Sequence, residues 1–298
     1  MRNRAVIDMY EPGSTIKPFV AAAVLERGLV KPDTVIETPD DFRVGTKLIR
    51  DDHHYDHLTV REIIQKSSNI GAAKLAMSLT PQQFWDVLHR VGLGQKPGSG
   101  FPGETAGRLR DPATWRPVEQ ATMAYGYGMS VSLLQMARAY MAFANDGEVM
   151  PLSFLKREPQ EIVGEQVFSP TVAREVRAMM EAVTQEGGTG TLTRVPGYRV
   201  AGKTGTAHKV FNGRYAPDLY VASFIGMAPA SNPRLIIGVL IDEPSDGGYY
   251  GGSVAGPVFA KIMAGSLRQL GLPPDLPETE TRVTQAMQPA ASHAGGGA

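Results

Sequence analysis

A helix that is apolar on most of its surface begins at Ser14, and it sets the strongest limit on how this chain folds. Its apolar residues recur at helical spacing: Ile16, Phe19, Val20, Ala23 and Val24. Pro12-Gly13 predicts a turn before the helix, and Gly28 predicts its end. A helix with apolar residues on most sides is usually buried within a domain. We therefore expect residues 14–28 to lie at the centre of the fold.

Ser14 and Lys17 lie in the first turn of this helix, in the spacing Ser-x-x-Lys. Side chains at this spacing share one helix face, about 5–6 Å apart at Cβ, so the two can form a hydrogen bond. A serine becomes nucleophilic when a base takes its proton, and lysine is such a base once burial or a nearby positive charge lowers its pKa. The stretch alone leaves two interpretations open: Ser14 is a helix N-cap, or it is a nucleophile with Lys17 as its base.

A second Ser-x-x-Lys stretch illustrates how little this spacing means without a helix. Ser153 and Lys156 follow Pro151 in a segment, residues 148–155, that reads as extended. On a strand, positions i and i+3 point to opposite faces. We therefore assign no role to Ser153 and Lys156.

Two further stretches could form the other walls of a site around Ser14. Ser67-Ser68-Asn69 separates two predicted helices, where these side chains either point into a cleft or cap the next helix. Lys203-Thr204-Gly205-Thr206 lies in a predicted strand, and glycine in a strand indicates close approach of another backbone. The alternative for this strand is an exposed surface with a solvated lysine. The order Ser-x-x-Lys, Ser-x-Asn, Lys-Thr-Gly favours a catalytic site.

The remaining sequence predicts a helical part followed by an antiparallel sheet. Short strand-like pieces are expected at 34–38 and 42–49, and helices at about 59–66, 70–79, 80–92, 117–125, 132–147 and 169–185. Residues 198–210, 220–227 and 234–241 predict three successive strands, and a helix at about 255–270 covers one face of the sheet. Residues 273–298 are Pro, Ala, Gly and polar residues, and predict a disordered tail.

The composition excludes several classes of protein. The 298 residues carry no formal net charge, so there is no basic footprint for nucleic acid. The absence of cysteine excludes disulfides and thiolate chemistry. The longest aliphatic run, residues 235–241, is too short to span a bilayer, and the first residues lack an apolar signal segment. As written, the chain is expected to have no transmembrane segment and no route out of the cytoplasm.

Three groups of histidines are candidate sites that we interpret as structural. Residues 51–57, Asp-Asp-His-His-Tyr-Asp-His, have the density of a metal site, but they are contiguous in a polar loop. His208, two residues beyond Thr206, reads as a solvated strand residue, and His89 reads as a structural helix residue. We therefore predict no metal at residues 51–57.

Taken together, these stretches resemble the transpeptidase domain of class B penicillin-binding proteins, most closely the division-specific (septal) peptidoglycan D,D-transpeptidases. The matching stretches are residues 2–18, 66–71, 125–128 (Tyr-Gly-Tyr-Gly), 201–207 and 242–252. The resemblance implies an α/β (α+β) fold of the penicillin-binding and serine β-lactamase type: an antiparallel sheet flanked by helices, plus an all-helical subdomain. It implies a transpeptidase domain at 1–272, with a helical part at about 14–190 and the sheet and C-terminal helix at about 197–271, before the tail at 273–298.

The resemblance also implies roles for the candidate residues. Ser14 would be the acylated nucleophile and Lys17 its base, while Ser67, near Lys203, would pass a proton to the leaving amine. Asn69 would hold the substrate amide. The stretch Thr204-Gly205-Thr206 would bind the substrate, with the two threonines on its terminal carboxylate. The backbone N–H groups of Ser14 and Thr206 would form the oxyanion hole.

The implied reaction is attack on the D-Ala-D-Ala bond of a peptidoglycan stem peptide and acyl transfer to an amine of a neighbouring stem. The resemblance implies that this reaction needs no metal and no organic cofactor. Implied partners are stem peptides and their lipid-linked precursor, β-lactams and division-machinery proteins, but no nucleic acid. The implied location is the periplasmic face of the inner membrane at the septum. Alternatives are a β-lactamase, a D,D-carboxypeptidase and a penicillin-sensing module. The glutamate of a class A β-lactamase, in Glu-x-x-Leu-Asn, is not found between Ser67 and Lys203, and residues 249–252, Tyr-Tyr-Gly-Gly, favour the transferase over the sensor.

One departure from the family bears on the sheet. The family's sheet has five strands, two of which precede the nucleophile helix, whereas only 13 residues precede Ser14 here. The membrane anchor and the non-catalytic N-terminal domain are not in the sequence either. We therefore expect a fragment, or a chain begun at an internal methionine, whose incomplete sheet has a bare edge at 234–241 that invites association.

Overall fold

A computed structural model of the chain describes residues 2–158, 162–211, 213–245 and 248–276. Its helices are α1 Arg4–Ile7, α2 Lys17–Glu26, α3 Val60–Lys66, α4 Asn69–Met77, α5 Pro81–Arg90, α6 Pro117–Met123, α7 Leu133–Ala139, α8 Met141–Ala144, α9 Pro170–Ala182 and α10 Gly251–Gln269. Its strands are β1 Val35–Glu37, β2 Phe42–Val44, β3 Lys47–Ile49, β4 His57–Thr59, β5 Glu148–Val149, β6 Glu165–Gln166, β7 Ala201–Phe211, β8 Arg214–Ala228 and β9 Leu235–Asp242. Most of the predicted tail, from residue 277 onward, lies outside the described residues. Among the helices described, none combines the length and apolar character needed to cross a bilayer.

Helix α2 is the buried centre that its sequence predicts. Every residue from Lys17 to Leu25 is buried, and α2 packs against α4, α5 and α9. The Phe19 ring contacts Tyr140 and Phe143, with ring centroids 5.6 and 5.0 Å away. A 3-10 helix, Gly13–Ile16, leads into α2 and carries Ser14. The surrounding helices therefore fix the position of the Ser14 turn.

Strands β7, β8 and β9 form one antiparallel sheet in that order, as the sequence predicts. Neighbouring residues of β8 face opposite sides. Phe224 packs against Phe259 of α10, with ring centroids 4.7 Å apart, whereas Ile225 joins the helical core. The sheet thus lies between α10 and the helical part, and β7 contacts the 3-10 helix that carries Ser14.

Strand β8 begins earlier than the sequence predicts. It starts at Arg214 rather than near residue 220, and Pro217 lies within the part that the sequence did not predict as strand. The pairing register of β7 and β8 shifts between His208 and Val210, and Pro217 lies in the irregular stretch. A proline is tolerated there because no ladder hydrogen bond needs its missing N–H group.

Helix ends follow the predicted caps, but one long helix is divided. The capping boxes at Thr59 and Ser132 are both formed. The helix predicted at 132–147 is two helices, α7 and α8, on either side of Tyr140. Tyr140 is fully buried, and its hydroxyl donates to the Thr15 carbonyl at 2.8 Å. A tertiary contact with the Ser14 turn therefore coincides with the break. The piece predicted as one strand at 42–49 is the hairpin of β2 and β3.

Strand β9 has no strand partner beyond β8 within the described ranges. Its sequence, Leu-Ile-Ile-Gly-Val-Leu-Ile-Asp, contains neither lysine nor proline, the residues that usually protect an edge strand. The unpaired edge that the sequence predicts at 234–241 is therefore present in this part of the chain.

Candidate active site

The three candidate stretches meet at one cleft of about 370 Å³. Its lining includes Ser14, Ser67, Thr204 and Thr206. Each stretch comes from a different part of the fold: the turn before α2, the α3–α4 junction and β7. The predicted convergence of these stretches in one site is thus present.

The amine of Lys17 lies beneath the cleft and bonds to the α3–α4 junction. Its Nζ donates to the Ser67 carbonyl, to Ser67 Oγ at 3.1 Å and to Asn69 Oδ1 at 2.8 Å. These bonds use all three donors of an ammonium group. The hydrogen bond expected between the Ser14 and Lys17 side chains is not found in the described residues, because the ammonium protons go to the junction instead. A neutral Lys17 would have a lone pair to offer the serine hydroxyls.

Ser67 lies between two lysines in a strained backbone conformation. Its Oγ accepts from Lys203 Nζ at 2.8 Å as well as from Lys17. Ser67 ends α3 with φ 64° and ψ 38°, in the left-handed region that few residues other than glycine adopt. Such strain persists at functional sites because the surroundings hold it. The hydroxyl is therefore held where it can exchange protons with either lysine.

Burial lowers the pKa of both lysines. Lys17 is fully buried, which lowers its pKa to about 7, partly offset by the charges of Asp51 and Asp52. Lys203 is also fully buried, and its pKa lies well below its ordinary value, first through burial and then through the positive charge of Lys17. A lysine with a pKa near 7 is neutral often enough at physiological pH to act as a base.

Both ends of the Asn69 side-chain amide are hydrogen-bonded. The neighbouring residues Arg50 and Asp51, to which the sequence interpretation assigned no role, position Asn69 and the start of α4. Asn69 Nδ2 donates to the Arg50 carbonyl at 3.0 Å, which turns Oδ1 toward Lys17. The Asp51 carboxylate accepts from Ser68 Oγ, Asn69 N and Ile70 N. Asp51 thus satisfies the free amides at the start of α4. The amide groups at the start of α4 need a hydrogen-bond acceptor, and this need was the signal in the sequence that could have identified Asp51. The similarity of residues 51–57 to a metal site was not.

Strand β7 forms the opposite wall. Thr204 Oγ1 lies 2.7 Å from Thr189 Oγ1, and Thr206 Oγ1 accepts from Gly251 N at 3.0 Å. A Cβ added to Gly205 would lie 2.9 Å from Thr15 Cγ2 and 3.1 Å from the Pro12 carbonyl oxygen. The close backbone approach predicted at Gly205 is therefore present. Thr189 and Gly251 are site residues that the sequence interpretation missed, since each reaches β7 from a loop or helix start distant in sequence.

The remaining candidates lie away from the lysine pair. Ser153 is exposed, and its Oγ bonds to Leu155 rather than to Lys156. His89 stacks on Trp85 at 4.3 Å between ring centroids, as a structural residue would. His208 is half-buried, and its ring packs 4.6 Å from that of Tyr220. His208 is a strand residue, as predicted, but it is half-buried rather than solvated, because the β7–β8 hairpin brings aromatic side chains beside it.

Comparisons with known proteins agree with this geometry. The family model "Penicillin binding protein transpeptidase domain" matches residues 1–264. The probable peptidoglycan D,D-transpeptidase PenA of Neisseria gonorrhoeae is 52% identical over 284 residues, covering 95% of this chain and 48% of that protein. The peptidoglycan D,D-transpeptidase FtsI of Escherichia coli K12 is 42% identical over 276 residues, covering 92% of this chain and 46% of that protein. The chain thus spans about half the length of the curated relatives it matches.

A solved structure extends the similarity to three dimensions. The apo TP domain of Burkholderia pseudomallei penicillin-binding protein 3 is 50% identical to this chain and superposes with a TM-score of 0.89. The match covers 93% of this chain and 84% of that one. Sequence and fold therefore agree over almost the whole of the chain.

Proposed function

The chain belongs to the penicillin-binding protein transpeptidase family, and we propose that it is a serine D,D-transpeptidase that cross-links peptidoglycan stem peptides during septal wall synthesis. The observation that carries the proposal is Ser67 Oγ, which accepts from both Lys17 and Lys203 in the cleft that Ser14 lines. The peptidoglycan D,D-transpeptidase names of PenA and FtsI support the same activity. We propose roles for eight residues: Ser14, Lys17, Ser67, Asn69, Lys203, Thr204, Gly205 and Thr206.

In the acylation step, Ser14 Oγ attacks the carbonyl carbon of the D-Ala-D-Ala bond, and its proton passes to the neutral amine of Lys17. The backbone N–H groups of Ser14 and Thr206 stabilise the oxyanion. As the C–N bond breaks, the leaving amine takes a proton from Ser67 Oγ, which is resupplied by its lysine neighbours. D-alanine leaves, and the acyl group remains as an ester on Ser14.

In the transfer step, an amine of a neighbouring stem peptide attacks the ester, and its proton returns through the same groups. The new amide bond forms as the ester bond breaks, and Ser14 regains its proton. Before the D-alanine leaves, Thr204 and Thr206 bind its carboxylate, and Asn69 holds the substrate amide. A β-lactam would acylate Ser14 in the same way.

We propose a place for this reaction from the kinship with FtsI and PenA. Stem peptides and their lipid-linked precursor are the substrates expected on the periplasmic face of the inner membrane at the septum. Division-machinery proteins would be the partners there.

Labelling with fluorescent penicillin tests the proposal. Wild-type protein should be labelled at Ser14, and Ser14→Ala should not be labelled. Mass spectrometry of the adduct over time should give a long-lived acyl-enzyme, whereas rapid loss would indicate a β-lactamase. A donor-plus-acceptor stem-peptide assay then separates the remaining activities. A transferase forms the cross-linked peptide, a carboxypeptidase releases the hydrolysed donor, and a sensor forms neither product. Persistent labelling of Ser14→Ala would sink the assignment.

A further inference from the structure

The stretch Gly126-Tyr127-Gly128, here called the bracket, bonds to the turn that carries Ser14. Gly13 N donates to the Gly126 carbonyl at 3.3 Å. Gly128 N donates to Glu11 Oε1 at 2.8 Å. The bracket therefore holds the Ser14 turn on its N-terminal side at two points.

The contact between Gly126 and Gly13 is too close for any side chain. Gly126 has φ +87°, and a Cβ built on it would overlap the backbone nitrogen and oxygen of Gly13. On its other side Gly13 faces β7, since a Cβ built on Gly13 would lie 3.4 Å from the Thr206 carbonyl oxygen. Gly13 is therefore packed between the bracket and Thr206, and a shift of the bracket is passed to the residue next to Ser14.

The bracket also bonds to β7. The Tyr127 hydroxyl accepts from His208 N at 3.3 Å, two residues beyond Thr206. Burial raises the pKa of Tyr127, so its hydroxyl stays protonated at physiological pH. The same stretch thus bonds to both sides of the space between Ser14 and Thr206.

Strand β8 closes this set of contacts into a ring. The Tyr215 hydroxyl donates to Glu11 Oε1 at 3.2 Å, and the Tyr215 ring packs edge-on against Tyr127 with centroids 5.4 Å apart. Glu11, the bracket, His208 and Tyr215 are therefore linked by these contacts. A shift of Glu11, of the bracket or of His208 alone would break at least one of them.

We propose that the bracket sets the separation of Ser14 and Thr206, with Tyr127 as a positioning residue for acylation. The inference rests on the proposed function, in which the backbone N–H groups of these two residues stabilise the oxyanion. Such donors act at about 2.7–3.1 Å from the developing charge. A bracket that sets this separation therefore affects the rate of acylation rather than the binding of substrate.

Tyr127→Phe removes the hydroxyl and keeps the ring. Because one neutral hydrogen bond is lost, we expect the acylation rate constant for a slow penicillin to fall about fivefold, with the dissociation constant of the preceding complex unchanged within about twofold. Tyr125→Phe is the matched control, since no hydrogen bond of the Tyr125 hydroxyl is recorded in the described parts of the chain; its acylation rate should equal that of wild type. Weaker binding with an unchanged rate, or no change at all, would overturn the proposal.

Two glycine variants test the contact with Gly13 at equal backbone strain. Gly126→Ala and Gly128→Ala both place alanine at positive φ, +87° and +83°, but only the first overlaps Gly13. A Cβ added to Gly128 would lie 4.0 Å from Met123 Cγ, which is an ordinary van der Waals contact. We expect Gly126→Ala to lose about 100-fold or more in acylation rate and Gly128→Ala about tenfold or less. Thermal melting shows whether each variant folds, and equal losses in two folded variants would contradict the proposal.

Hydrogen exchange separates failure of this inference from failure of the proposed function. The His208 amide should exchange faster in Tyr127→Phe than in wild type, whether or not penicillin reacts. An unreactive wild type with this difference refutes the transpeptidase assignment but leaves the bracket contact standing. Equal exchange in both proteins overturns the bracket.

Discussion

Ser67 combines features at the residue scale that no single stretch of sequence displays. Its left-handed backbone ends α3, and its Oγ accepts hydrogen bonds from Lys17 and Lys203, which lie 50 and 136 residues away along the chain. The Ser-x-Asn spacing identified the residue, but it left open a helix cap as the alternative. Only the packing of α2 and β7 against the α3–α4 junction distinguishes the two.

Replacing Ser67 separates its hydroxyl from its backbone strain. Ser67→Ala and Ser67→Gly both remove the group proposed to carry the proton, so we expect each to acylate about 100-fold more slowly or worse. Glycine has no penalty at φ 64°, so Ser67→Gly should be the more stable of the two by about 1 kcal/mol. Stopped-flow acylation and thermal melting measure the two effects. Near-normal acylation by Ser67→Gly would show that the hydroxyl is dispensable.

The pKa of Lys17 predicts how acylation depends on pH. The neutral amine is the base, so the acylation rate should rise with pH through about 7 and then level off. The same shift affects stability. Between about pH 7 and the ordinary lysine value of 10.5, the unfolded chain holds the Lys17 proton and the folded chain does not, so this group makes the free energy of unfolding rise with pH. Lys17→Met should lack both trends. A flat acylation profile from pH 6 to 8 would contradict the assignment.

At the scale of elements, the sequence predicts what depends on local chemistry. The burial of α2 follows from its apolar surface, and the starts of α3 and α7 follow from their capping boxes. The break at Tyr140 and the early start of β8 were not predictable, because one coincides with a contact to Thr15 and the other depends on pairing with β7. Where the end of a helix or strand depends on a contact with residues distant in sequence, its position could not be predicted from the sequence.

The segment before β4 supplies such a distant partner to α4, and two neighbouring aspartates test it. Asp51 and Asp52 both raise the pKa of Lys17, but in the described structure only Asp51 bonds to the α4 amides. Asp51→Asn and Asp52→Asn should therefore both move the midpoint of the acylation profile to lower pH. Only Asp51→Asn should lower the free energy of unfolding, by about 1–2 kcal/mol. Equal stability of the two variants would remove the structural role of Asp51.

At the scale of the whole molecule, one sheet joins the halves of the site. Its β7 edge carries Lys203 to Thr206 against the Ser14 turn, and its other edge, β9, is unpaired within the described ranges. The order of the strands could be predicted from the sequence, because they are consecutive and joined by short turns. The meeting of β7 with the Ser14 turn could not, since it needs the resemblance to a known family to bring the stretches together.

The β9 edge predicts how the 298-residue chain behaves in solution. Seven apolar or glycine residues in a row, followed by Asp242, leave backbone donors and acceptors on a strand without a protecting lysine or proline, so we expect concentration-dependent self-association. Leu240→Lys places a charge on this edge, while its long stem still covers the half-buried position, and should shift the protein toward monomer in sedimentation velocity runs. Val258→Lys, at an apolar position of α10 that is 38% exposed and not part of the strand, is the matched control and should associate like wild type. A wild-type chain that is monomeric and melts in one cooperative transition would show that the edge is protected after all.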